Sequence, residues 1–68
     1  MEIFGQRIKS LRKEQGLTQT QLAEQMHLDK STIAKYETNR IAPSAELIIA
    51  FAKFFNVETD YLLGLKDF

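Results

Sequence analysis

Five residues near the middle of the chain place small or hydrogen-bonding side chains on one side of a predicted helix. With about 100° of rotation per residue from Lys30, they fall within an arc of roughly 140°. We call this set the polar arc: Lys30, Ser31, Ala34, Lys35 and Thr38. Lysine donates hydrogen bonds to guanine N7 and O6, serine donates or accepts, and a small alanine allows close approach to a base edge or a thymine methyl group. The arc therefore predicts the reading of base edges in duplex DNA. The alternative is a solvated helix face that only keeps the protein soluble.

The residues around the polar arc predict two short helices that cross at a steep angle. In the segment 19–38 (QTQLAEQMHLDKSTIAKYET), Leu22 and Met26 lie one turn apart on the first helix, and Ala23 is small enough for the second helix to approach closely. The second helix continues this contact with an apolar seam outside the polar arc, formed by Leu28, Ile33 and Tyr36. Helix, tight turn and helix at this spacing are typical of the helix-turn-helix unit that reads DNA.

Segment 19–38 resembles the helix-turn-helix of Cro/cI-type phage repressors, also called the XRE family of transcriptional regulators. The opening IFGQRIKSLRKEQGLTQTQLAEQ resembles that family's first helix and the entry into its second, and NVETDYLLG resembles its fifth helix. The resemblance therefore covers nearly the whole chain. It implies an all-α fold, a compact five-helix bundle of the lambda-repressor-like type, with residues 1–68 as a single domain.

The resemblance also implies which residues contact DNA. The positions that match base contacts in the family are Lys30, Ser31 and Lys35, with Ala34 on the same face. The positions that match phosphate contacts are Thr18, Gln19, Thr38, Asn39 and Arg40. A physical reason supports Thr18 and Gln19, because the free N–H groups and positive dipole end of a helix that starts here favour a phosphate. Capping alone also explains Thr18, and Arg7 and Lys9 are weaker candidates for phosphate contact.

Arg12 and Glu37 are predicted to form a structural ion pair. On the helical wheel Glu37 lies about 20° from Lys30, between the polar arc and Ile33, and therefore at the border of the core. In the resembling repressors an arginine and a glutamate at these two places form a partly buried ion pair that joins the first helix to the third. The alternative is two independent surface charges, which would contribute almost nothing to stability.

Caps and breakers divide the chain into five predicted helices. The first covers about 3–15 and ends before Gly16; the second starts at the capping box formed by Thr18 and Gln21. The third runs from an Asp29 cap to about residue 38, the fourth from a Ser44 cap to Asn56, and the fifth covers about 59–63. His27 occupies the turn where the family most often has glycine, and histidine tolerates positive φ better than most residues.

Composition limits the chemistry that the chain can perform. The 68 residues include no cysteine and one histidine, so the sequence predicts no metal site, no cofactor, no catalytic nucleophile and no evident small-molecule ligand. The net charge is zero, which by itself disfavours DNA binding, but residues 1–16 carry four basic and two acidic side chains and residues 46–68 the reverse. No apolar run approaches the roughly 18 residues of a membrane span. We expect a soluble, cytoplasmic protein that is not an enzyme.

The C-terminal residues are more apolar than a domain of this size can readily bury. We therefore expect a homodimer that associates through this end, with four candidate interface residues: Tyr61, Leu62, Leu65 and Phe68. Of the aromatic residues Phe51, Phe54 and Phe55, which could alternatively stack on single-stranded nucleic acid, Phe54 is predicted to be the more exposed.

The sequence thus predicts a homodimer that binds an inverted repeat in duplex DNA. The favoured regulatory role is repression of transcription. Two alternatives stay open. The chain could be the antitoxin of a toxin–antitoxin pair, whose helical domain also binds its operator, or the DNA-binding half of a longer repressor.

Overall fold

The computed structural model describes residues 2–67, which form five helices and no strand. The helices are α1 (Glu2–Glu14), α2 (Gln19–Met26), α3 (Lys30–Glu37), α4 (Ala45–Phe55) and α5 (Thr59–Leu62). The predicted five-helix, all-α fold is confirmed, and the ends differ from the predicted ones by one or two residues at most. None of these helices is long and apolar enough to cross a membrane.

Side-chain caps begin two of the helices as predicted. At α2, Gln21 N donates to Thr18 Oγ1 at 3.1 Å, and Thr18 N donates to Gln21 Oε1 at 2.8 Å, which completes a capping box. At α4, Leu47 N donates to Ser44 Oγ at 3.2 Å. Asp29 stands at the N-cap position of α3, but its side chain accepts no capping hydrogen bond, so the prediction that Asp29 caps this helix holds for its position only.

Left-handed residues end α2 and α4. His27 has φ 57° and ψ 42°, and its backbone N–H donates to the carbonyls of Ala23 and Glu24. Asn56, with φ 56° and ψ 46°, ends α4 in the same way. The predicted role of His27 as a turn residue with positive φ is therefore confirmed, and the tight turn brings α3 against α2.

The core lies where α1, α3 and α4 bring three aromatic rings together. The ring centroids of Phe4 and Phe51 are 5.6 Å apart and those of Phe4 and Tyr36 are 5.9 Å apart, both in edge-to-face geometry. The buried apolar residues are Phe4, Ile8, Leu22, Ala23, Ile33, Tyr36, Phe51, Ala52, Phe55 and Leu62. Phe51 and Phe55 are thus core residues, and Phe54 is half-buried, edge-on to Phe55 at 5.0 Å.

The structure contradicts the prediction that Leu62 is an interface residue. Its side chain is 0% exposed, because the short helix α5 turns this residue into the core. Leu62 is therefore not available to a second protein. Tyr61 is half-buried and Leu65 is exposed, whereas Phe68 lies outside the described residues.

Gly5 allows α1 to cross α3 closely. A Cβ atom at this position would lie 2.3 Å from the carbonyl oxygen of Tyr36 and 3.2 Å from that of Glu37, so any side chain would collide with backbone. This role of Gly5 was not predicted from the sequence. The close crossing matters for the site because it places Arg12, two turns further along α1, beside the end of α3.

Candidate nucleic-acid interface

Helix α3 exposes the polar arc and buries its other side. Lys30, Ser31, Lys35 and Thr38 are exposed and Ala34 is half-buried. Ile33, by contrast, is 0% exposed and Tyr36 is 7% exposed. The apolar seam therefore fixes which side of α3 faces outward, and the structure brings all five residues of the polar arc to that side.

The turn after α3 keeps residues 38–40 beside the end of the polar arc. Thr38 Oγ1 donates to the carbonyl of Ala34 at 2.7 Å, and Arg40 N donates to the carbonyl of Lys35 at 2.8 Å. Asn39 between them adopts a left-handed conformation with φ 62°. Because Asn39 and Arg40 are exposed, this turn extends the polar surface of α3 with a cation and an amide.

The structure brings the predicted partners Arg12 and Glu37 together as a bidentate pair. Arg12 Nε donates to Glu37 Oε2 at 2.6 Å, and Arg12 Nη2 donates to Glu37 Oε1 at 3.0 Å. The side chains are 10% and 2% exposed respectively. The hydrogen bond to Glu37 raises the pKa of Arg12 above its ordinary value, although desolvation by burial acts in the opposite direction. This geometry excludes the alternative of two independent surface charges.

Two further bonds connect this ion pair to the start of α2. Arg12 Nη1 donates to the carbonyl oxygen of Leu17 at 2.8 Å. Gln19 Nε2 donates to Glu37 Oε1 at 3.1 Å. Gln19 was predicted only as a phosphate contact, and its bond to Glu37 was not predicted. No local pattern signals this bond, because the two residues lie 18 positions apart on different helices.

Arg7 lies on the same helix as Arg12 but contacts the C-terminal end of the molecule. Its Nη1 donates to the backbone carbonyls of Tyr61 and Lys66, and its Cζ lies 4.2 Å from the centre of the Tyr61 ring. Arg7 Nη2 is 3.9 Å from the carboxylate of Asp67. These contacts remove Arg7 from the candidate phosphate contacts, because its guanidinium already holds the C-terminal turn against α1.

One exposed ion pair joins two residues of the C-terminal end. Lys66 Nζ donates to Glu58 Oε1 at 2.9 Å, and this hydrogen bond raises the pKa of Lys66 above its ordinary value. The polar arc and the turn after it carry three exposed cations, Lys30, Lys35 and Arg40. The predicted asymmetry concerned residues 1–16 and 46–68, whereas these cations lie at positions 30–40, and Arg7 and Arg12 of the basic segment make contacts within the protein.

Comparison with known proteins identifies the architecture. A helix-turn-helix family model matches residues 8–62. The chain is similar to YobD of Bacillus subtilis, an uncharacterised HTH-type transcriptional regulator, with 37% identity over 65 residues, which are 96% of this chain and 58% of YobD. It is also similar to the immunity repressor protein of Bacillus phage phi105, with 42% identity over 60 residues, covering 88% of this chain and 42% of the repressor.

Another relative is the antitoxin PezA of Streptococcus pneumoniae, which is 34% identical over 62 residues, or 91% of this chain and 39% of PezA. The chain thus spans about half the length of the relatives it matches. The family model matches most of the chain, and the matched residues include all of α2 and α3 with the turn between them. The chain therefore belongs to the XRE family of helix-turn-helix transcriptional regulators.

Proposed function

We propose that this protein binds duplex DNA at specific sites by inserting α3 into the major groove. The observation that carries the proposal is the division of α3 into a buried apolar seam and an exposed polar arc. On this arc Lys30, Ser31 and Lys35 supply hydrogen bonds to base edges, and Ala34 supplies close apolar contact. The role is one of binding, without catalytic chemistry or a cofactor.

Phosphate contacts would come from the two ends of the helix-turn-helix. Thr18 and Gln19 begin α2, and Thr38, Asn39 and Arg40 follow α3. The hydrogen bond between Gln19 and Glu37 ties the start of α2 to the end of α3. Contacts to phosphate at both places would set the orientation of α3 on the duplex without reading sequence.

We further propose that the protein represses transcription as a homodimer that associates through its C-terminal end. Leu65 is 73% exposed and Ile3 is 41% exposed. Gly64, the residue before Leu65, packs against Ile3, because a Cβ atom at Gly64 would lie 3.1 Å from Ile3 Cγ2. Tyr61 adds a half-buried ring, and Phe68 stays a candidate from the sequence alone. A two-fold dimer would present two copies of α3 about 34 Å apart, which predicts an inverted repeat with half-sites about 10 base pairs apart.

Selection of binding sites from random duplex DNA tests the DNA-binding proposal. We expect an inverted repeat, and we expect Lys35→Ala to cost about 1–3 kcal/mol at the selected site while relaxing base preference. Arg40→Ala is the matched comparison, because a lost phosphate contact should weaken all duplexes similarly. Equal losses on selected and scrambled duplexes for Lys35→Ala would contradict base reading by this residue.

Sedimentation at several protein concentrations, with and without the selected duplex, tests the dimer. We expect Leu65→Lys to abolish association, because it places a charge in the proposed interface. Ile49→Lys is the matched control, since Ile49 is also an exposed apolar side chain, at 47%, but lies on α4. Association unchanged by Leu65→Lys, or lost with Ile49→Lys alone, would show that the interface lies elsewhere.

An antitoxin is the second candidate function, and the similarity to PezA favours it. An antitoxin would bind a second, different protein in addition to its operator. A toxin gene beside the gene for this chain, and a stable complex of the two purified products, would establish this function. The share of the relatives' length that the chain covers also keeps open its role as the DNA-binding half of a longer repressor.

A further inference from the structure

The carboxylate of Glu37 holds two different side chains at once. Its Oε2 accepts from Arg12 Nε at 2.6 Å, and its Oε1 accepts both from Arg12 Nη2 at 3.0 Å and from Gln19 Nε2 at 3.1 Å. With its side chain only 2% exposed, Glu37 lies among partners of the protein rather than water. Its position is therefore set by the fold before any ligand binds.

The ion pair itself has little freedom to move. A bidentate arginine–carboxylate pair restrains both the distance and the plane of the two groups. The guanidinium is additionally held by the bond from Arg12 Nη1 to Leu17 O at 2.8 Å. Close crossing of α1 and α3 at Gly5 fixes the two helices that supply the pair. Glu37 consequently offers Gln19 an acceptor whose position does not depend on side-chain rotation.

This acceptor determines the orientation of the Gln19 amide. A carboxylate oxygen accepts but cannot donate, so the amide must turn its nitrogen toward Glu37. The nitrogen carries two N–H donors, and the bond to Glu37 uses one. Once the first N–H is directed, the planar amide fixes the direction of the second. Gln19 is half-buried, so part of it remains accessible from outside.

We infer that Glu37 is a positioning residue for DNA, which holds the Gln19 amide so that its second N–H donates to a phosphate. This inference rests on the proposed function, in which Gln19 contacts phosphate. Ordering a glutamine side chain costs conformational entropy. Because the bond to Glu37 orders Gln19 on folding, this entropy is not lost again when DNA binds. The same bond links a phosphate contact at the start of α2 to the end of α3. Phosphate binding and the placement of the polar arc are thereby coupled.

A double-mutant cycle on DNA affinity tests the inference. Gln19→Ala is introduced into the natural protein and into the Arg12→Met, Glu37→Met background, where apolar side chains replace the whole buried pair without leaving an unpaired charge. We expect Gln19→Ala to weaken binding to a selected duplex about tenfold in the natural protein, or about 1.4 kcal/mol. In the apolar background we expect a loss below about twofold. Gln25→Ala, on the exposed side of the same helix, is the control.

The outcomes separate this inference from the proposed function. Equal losses in both backgrounds would show that Gln19 contacts DNA without Glu37, and no loss in either would show that Gln19 makes no contact. Both results overturn the inference while leaving site-specific binding intact. Failure of the natural protein to bind any selected duplex would overturn the proposed function instead.

A second measurement uses the natural protein alone and needs no substitution. In the natural protein, the two side-chain amide protons of Gln19 give separate NMR signals because rotation about the amide C–N bond is slow, and hydrogen bonding to Glu37 should displace one of them from its ordinary shift. Addition of the selected duplex should shift chiefly the other proton. Amide signals of Gln19 that stay unshifted on DNA binding would overturn the inference.

Discussion

Two arginines on the same helix hold different parts of this molecule in different ways. Arg12 makes a bidentate bond to the buried carboxylate of Glu37 on α3 and donates to the carbonyl of Leu17, two residues before α2. Arg7 instead donates to the carbonyls of Tyr61 and Lys66 and covers the Tyr61 ring. Its nearest carboxylate, on Asp67, is 99% exposed and 3.9 Å away.

The two arginines serve regions with different structural requirements. The proposed DNA surface requires two helices in one fixed relation, and a buried charge pair with all its partners present specifies that relation. The C-terminal end is a four-residue helix and a turn that present Leu65, and exposed ion pairs there contribute little. We therefore expect the first region to be rigid before binding and the second to be easily loosened.

The largest effect is expected for Arg12→Met, which would leave the carboxylate of Glu37 buried without its cation. Breaking one side of a buried pair costs about 3–5 kcal/mol. Lys13→Met, at an exposed position next to it, should cost almost nothing. Urea unfolding of both variants checks this. Midpoints that agree within error would remove the distinction between Arg12 and surface charges.

Gly5→Ala should cost about 3 kcal/mol, because the added methyl group would collide with the carbonyl of Tyr36 at 2.3 Å. In a helix without this contact, the same change would gain about 1 kcal/mol of helix propensity. Ser10→Ala on the exposed side of α1 is the control for propensity. A Gly5→Ala protein as stable as the natural one would mean that α1 and α3 separate easily, which would contradict a rigid crossing of these helices at Gly5.

Arg7→Met should reduce the free energy of unfolding by only about 1 kcal/mol, because it removes hydrogen bonds at a partly exposed site. Its effect should be local. We expect faster hydrogen exchange at the amides of residues 63–65 with little change in α2 and α3, compared with Lys9→Met as the exposed control. Loss of protection throughout the chain would show that Arg7, like Arg12, holds the whole fold.

The smallest effect concerns pH and contrasts the two tyrosines. Burial raises the pKa of Tyr36 above its ordinary value of about 10, so the folded state holds this proton more tightly than the unfolded state. This contribution to stability is complete below pH 10 and is lost as the pH rises through the folded pKa. Tyr36→Phe should therefore flatten the alkaline fall in urea midpoint. Tyr61→Phe, in the half-buried ring under Arg7, is the comparison, and an equal flattening there would contradict the assignment to Tyr36.

Several features of the fold were predictable because they depend on neighbours within one helical turn. The capping box at Thr18 and Gln21, the Ser44 cap and the end of α4 at Asn56 depend on local interactions that the sequence displays directly. The exposed polar arc was predictable for a similar reason, because the periodic apolar seam of α3 indicates which side of the helix is buried. These features defined five helices and the side of α3 that faces outward.

Local sequence therefore specifies the helices, their ends and the chemistry of the outward side of α3. The burial of Leu62 depends instead on how α5 packs against the core, since a four-residue helix has too few positions for periodicity to indicate a face. Tertiary packing also produces the bond between Gln19 and Glu37, the contacts of Arg7 with the C-terminal turn and the close crossing at Gly5. The physical reason is distance along the chain. These contacts join residues 18 to 59 positions apart, and they exist only after packing of the core has brought separate helices together.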